Sequence, residues 1–284
     1  MNIRIEQCSI AVVVADAGPV APNSRVFAAT GLKFYVAAAL VFLASMSATV
    51  YLCRSMTGGM PMPGGWTMSM AWMRMPGKNW LGSGASFIAM WIVMMVAMML
   101  PSLVPMLVDY QRSLSRLGLA RCEKLTMLVT AGYFLMWTIA GLAVYPLGVV
   151  IANAAMRWQV LARLVPVTAG VVLMLAGYAQ LTGWKALQLE RCRSAPVCNQ
   201  PVSPDAWSAC RHGVCLGAQC ILCCFNLTLV MFVSGVMDLG AMAAVAGAIT
   251  LERIAPWPRR AAHITGVFIL LLGAFKVARA LLGA

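Results

Sequence analysis

An all-α fold, a polytopic membrane bundle of six to seven transmembrane helices, is what the sequence predicts, and three observations predict it. Of 284 residues, 62% are hydrophobic and 10% charged, against roughly 25% charged in a soluble domain. The apolar residues form runs long enough to span a bilayer. The basic residues, in a chain of net charge +13, sit mainly in the short stretches between those runs.

Residues 1–31 read as an N-terminal tail, and 32–284 as a single transmembrane domain. Phe34–Leu52 is charge-free and flanked by Lys33 and Arg54, which makes it the first span. An outer loop rich in methionine, 55–84, leads to a second span at Ala85–Val108. The third runs from Leu125 to Val150, Asn153–Arg163 connects it to the fourth at Leu164–Leu181, and a cysteine-rich inner loop, 182–214, follows. Cys215–Val236 is the fifth. Leu239–Leu251 is shorter than the roughly 17–25 residues a spanning helix uses, so it is the segment on which a count of six or seven turns. His263–Leu282 is last. With the N-terminus cytoplasmic, 14 of the 21 Lys and Arg fall on the inner side, the asymmetry that orients membrane proteins. The expected location is the inner membrane of a bacterium, with the lipid bilayer as the surrounding partner.

Sulfur is the compositional outlier. There are 22 methionines, 13 of them between Met56 and Met106, and ten cysteines, seven of them between Cys192 and Cys224. The outer loop places Met68 and Met70 among other thioethers at M-x-M spacing, and thioethers favour copper(I) over harder ions. On a helix at about 100° per residue, Met90, Met94, Met95, Met98, Met99 and Met106 share one half of the second span. Ile92, Val93, Val96, Leu100, Leu103 and Val104 take the other half, which suits lipid. Methionine is also an ordinary core filler, so Met94 and Met98 are candidates and not conclusions.

The same geometry puts Cys220, Cys223 and Cys224 on one face of the fifth span, with Cys210, His212 and Cys215 upstream. Thiolates at this spacing can clamp copper(I), and zinc also fits. Cys192 and Cys198 are weaker candidates. Asp238, at the boundary of the same span, is either a functional carboxylate or the cap of the next helix. Glu252 and His263 read as interfacial. No G-x-S-x-G, H-E-x-x-H, phosphate-cradling glycine loop or facing carboxylate pair occurs, so the reading is of a non-enzyme. No basic stripe with interleaved aromatics argues for nucleic acid.

Three segments, AMWIVMMVAMMLPSLVP (89–105), AGYAQLTGWKALQLERCRSAP (176–196) and GVCLGAQCILCCFNLTLVMFVSGVMDLGAMAAVAGAITLERIAP (213–256), resemble a bacterial family labelled predicted metal-binding integral membrane protein, some members of which are labelled copper chaperones. The resemblance implies a helical membrane protein with a metal site. Phe225 stands where many members carry tryptophan after the cysteine run, so this chain resembles a divergent branch. The function expected is handling of a soft metal, copper(I) first, as chaperone, carrier or insertion factor, with a metal donor or acceptor protein as partner. The alternatives are a membrane thiol–disulfide oxidoreductase using Cys220 and Cys223, and a structural subunit whose sulfur only packs.

Overall fold

Long apolar runs with few helix breakers give long helices, and the computed structural model is the all-α bundle that composition predicts. It describes residues 24–55, 59–63, 65–73, 79–116, 122–193 and 205–282. Residues 1–23 of the expected tail therefore lie outside the described residues, and 24–31 are the first turns of a helix and not a tail. The helices are α1 (Ser24–Ser55), α2 (Trp80–Arg116), α3 (Cys122–Arg157), α4 (Gln159–Leu181), α5 (Gly183–Arg193), α6 (Ala206–Ser234), α7 (Leu239–Ile254) and α8 (Pro258–Leu281). Six of them, all but α5 and α7, are long and apolar enough to cross a membrane. Leu40 and Leu43 on α1, and Phe268 and Leu271 on α8, are exposed, an outer surface compatible with hydrocarbon surroundings.

Three connections differ from expectation. The methionine-rich loop folds into an antiparallel hairpin of β1 (Gly59–Met62) and β2 (Trp66–Ser69), with Met60 opposite Met68. Only Trp158 separates α3 from α4, where a longer connection was expected. The inner loop contains α5 and the first turns of α6. Here polar residues hid helices that tertiary packing stabilises: Lys185, Gln188, Leu189 and Cys192 of α5 are all buried.

Glycine sets the closest helix pairs. A Cβ on Gly177 would lie 2.8 Å from the Gly266 carbonyl oxygen, and one on Gly170 would lie 3.0 Å from that of Gly273. This register makes α4 and α8 antiparallel and nearly in backbone contact. Gly213 against Val129, and Gly217 against Tyr133, set α6 parallel to α3.

The path of α7 follows from these registers. Trp91 stacks on Phe232 near the C-terminal end of α6 and on Phe87, which in turn meets Trp72 beside the hairpin. So α6 ends towards the hairpin end of the bundle. The left-handed Gly235, at φ +115, and the Asp238 cap then turn the chain. Glu252, near the end of α7, meets Gln180 at the end of α4, and α8 sets off antiparallel to α4. The 16 residues of α7 span about 24 Å at 1.5 Å per residue. They return the chain to the basic end, where α4 also ends, so seven helices run along the bundle, six of them long and apolar enough to cross a membrane.

The centre of the bundle is α2, buried along most of its length. Met90, Met94, Met95, Met98 and Met99 point inward as their spacing predicts. Leu100 and Leu103, assigned by spacing to lipid, are buried as well. Neighbours on several sides, α1, α3 and α7 among them, leave this part of α2 no free face.

Candidate metal centre

The thiols of α6 meet α2, α3, α5 and α7 at one point inside the bundle. Cys220 is 0% exposed, and Cys223, Cys224 and Cys192 are equally enclosed. The Cys220 sulfur lies 3.9 Å from that of Cys224 and 4.0 Å from the Met99 thioether. Cys220 and Cys224 are four residues apart, so one helical turn stacks them. Met99 reaches Cys220 from α2, which faces α6 in antiparallel register from Trp91–Phe232 to Tyr110–His212. Cys223 on the same helix and Cys192 on α5 lie in the same buried cluster as Cys220 and Cys224.

These spacings have a chemical meaning. A trigonal ion with metal–sulfur bonds of about 2.3 Å has sulfurs about 4.0 Å apart along each edge of its triangle. Two edges of a triangle of Cys220, Cys224 and Met99 match that length. Among the described residues no three His, Cys, Asp or Glu side chains gather as a metal cage. One of the two sulfurs against Cys220 is a thioether, a ligand that suits copper(I) and does not suit harder ions.

Polar side chains enclose the sulfur. Tyr133, buried on α3, donates its hydroxyl to the Cys220 sulfur at 2.9 Å. Arg253 on α7 donates to the Ser102 hydroxyl at 3.0 Å and to the Cys192 sulfur. Lys185 on α5 donates to the Cys223 carbonyl at 2.7 Å and pairs with the Glu252 carboxylate at 2.8 Å. Gln180 and Thr265 donate to the same carboxylate, and Asn226 donates to Gln180. The interfacial role expected of Glu252 is therefore replaced by a buried one, because α7 ends inside the bundle against α4 and α5.

The other sequence candidates fall elsewhere. His212 stacks on Tyr110 two turns before Cys220. Cys215 is disulfide-bonded and offers no free thiol while that bond stands. Asp238 is exposed and accepts from the Ala241 amide at 3.0 Å as the cap of α7. Met68 is buried at the hairpin end against Ala152 and Ala155, and the Met70 side chain and Cys198 lie outside the described residues. Met94 and Met98 are buried on α2 in the same core cluster, but the thioether with a close thiol contact is Met99. Sequence reasoning missed Tyr133, Ser102 and Arg253. Their only prior signal was partial: Ser102 and Arg253 lie in segments that carry the family resemblance, and Tyr133 does not.

A helical bundle with free thiols and thioethers gathered at an interior point offers ligands of the kind that soft metal ions take. The chain belongs to the PpoB2 family, described as copper chaperone, whose model matches residues 88–276 and so takes in every residue of the cluster. That membership supports a copper-handling role. No curated protein and no solved structure matches the chain.

Proposed function

We propose that the chain is a membrane-embedded carrier or chaperone that holds copper(I) between Cys220, Cys224 and Met99, with Cys223 and Cys192 as the next thiols along its path. The observation that carries this reading is the pair of sulfur contacts at 3.9 and 4.0 Å around Cys220. The ion is cargo, and it is passed on by exchange of one sulfur ligand for the next. The run of thiols towards α5 supplies such a series. Binding converts thiols to thiolates and releases their protons. The methionines of the hairpin and of α2 serve as weaker ligands on the way to the thiols.

Cys192, Cys220, Cys223 and Cys224 are fully enclosed, which speaks against disulfide exchange by these thiols with another protein, since that chemistry needs an accessible sulfur. The test is an anaerobic copper(I) titration of the purified chain in detergent against a chromophoric competitor. One tight ion per chain is expected, lost in Cys220→Ser and weakened in Met99→Leu. Undiminished binding in a Cys220→Ser/Cys224→Ser variant would sink the assignment.

A further inference from the structure

Three charged side chains are buried beside the sulfur, and they do not cancel. Lys185 and Glu252 form a pair at 2.8 Å. Arg253, 8% exposed, has no carboxylate within ion-pair distance among the described residues. Its hydrogen bonds go to a hydroxyl and a thiol, and its Nε has no partner there. A guanidinium out of water without a counter-charge is costly. Its head bonds the Cys192 sulfur, which lies in the same buried cluster as Cys220 and Cys224. Ser102, which it grips, is three residues along α2 from Met99, so the charge sits about one turn from the sulfur triangle.

We infer that Arg253 is the counter-ion of the metal–thiolate complex and makes the site select a monovalent ion. The inference rests on the triangle proposed above. Copper(I) with two thiolates and a neutral thioether carries one negative charge, which one guanidinium cancels. Zinc(II) on the same three sulfurs is neutral and leaves Arg253 uncompensated. The low dielectric of the interior magnifies the difference, because charge there is not screened by water. Arg253 acts as a positioning residue: it touches Cys192 and Ser102 and works on the ion through its field. Its guanidinium also spans α2, α5 and α7, so it ties the charge to the elements that carry Met99 and Cys192.

The test uses the full chain in detergent, with copper(I), silver(I) and zinc(II) as separate probes. Arg253→Met is expected to weaken copper(I) and silver(I) binding by roughly 10- to 100-fold. Zinc(II) affinity should hold or rise, and Arg253→Lys should restore most of the monovalent preference. An equal loss for all three ions, or a Met variant that keeps the wild-type preference, overturns the inference. Where Arg253→Met does not fold, Glu252→Gln decides: it adds a second uncompensated positive charge, so the copper(I)-over-zinc(II) preference should widen. A narrowed preference overturns the inference. Wild-type protein that binds no copper(I) at all fails the triangle itself, a result distinct from a failure of Arg253.

Discussion

Tyr133 and Lys185 show how single side chains can be separated by what each is asked to do. The Tyr133 hydroxyl donates to Cys220, one of the proposed ligands, and a hydrogen bond to a charged acceptor contributes about 1.5–3 kcal/mol. Tyr133→Phe should weaken copper(I) binding by roughly tenfold in a competition titration, with thermal unfolding little changed. Unchanged affinity would show that the bond is only structural. Lys185→Met has a different expected effect. It leaves the Glu252 carboxylate buried with hydrogen-bond donors but no cation, and breaking a buried pair costs about 3–5 kcal/mol. Thermal unfolding should report that loss, and Lys185→Met/Glu252→Gln should recover part of it. The thiols of α6 were legible in the sequence because four-residue spacing places sulfur on one face whatever surrounds it. Arg253 and Lys185 were not legible. Composition puts Lys and Arg at loop ends, and only the meeting of α5, α7 and α2 reveals that these two are inside.

Glycine positions carry the prediction at the level of the helices. A methyl group on Gly177 would lie 2.7 Å from the Leu270 amide nitrogen and 2.8 Å from the Gly266 carbonyl oxygen. Backbone atoms cannot step aside cheaply, so Gly177→Ala should destabilise the α4–α8 pair by about 1–3 kcal/mol. A methyl group on Gly247 of α7 would meet nothing within 4 Å, and Gly247→Ala should be neutral or stabilising by up to about 1 kcal/mol. Thermal unfolding of both variants in one detergent makes the comparison, and equal effects would refute the packing argument. The spans themselves were readable from hydropathy, since long apolar runs have few other structures available. The hairpin and α5 were not, because both are held by contacts distant in sequence. Trp66 donates to the Ala162 carbonyl at 2.9 Å, and Lys185 of α5 reaches both α6 and α7. Local pattern contains neither partner.

For the whole molecule, charge decides which way the seven helices should run. The tail and the basic end hold 14 of the 21 Lys and Arg, which predicts that this end faces the cytoplasm. Three of the 14, Lys185, Arg193 and Arg253, make hydrogen bonds within the bundle, and the remaining 11 still exceed the 7 opposite. Seven traverses then place the C-terminus on the outer side, whereas six would return it to the side of the N-terminus. A reporter pair, one active only in the cytoplasm and one only outside, fused after Ala284 and inserted near residue 200, tests count and orientation together. The expected result is an outer signal at Ala284 and a cytoplasmic signal near 200. A cytoplasmic signal at both would mean that α7 does not cross. The thiol chemistry adds an independent check. Thiols are kept reduced in the cytosol, and disulfides persist outside it. A cytoplasmic basic end therefore predicts that the Cys215 disulfide opens in cells and that Cys215 becomes alkylated in lysates prepared under acid quench. A persistent disulfide would reverse the orientation and place the thiol-rich end of the copper path on the oxidising side, where α6 would receive the ion and not release it.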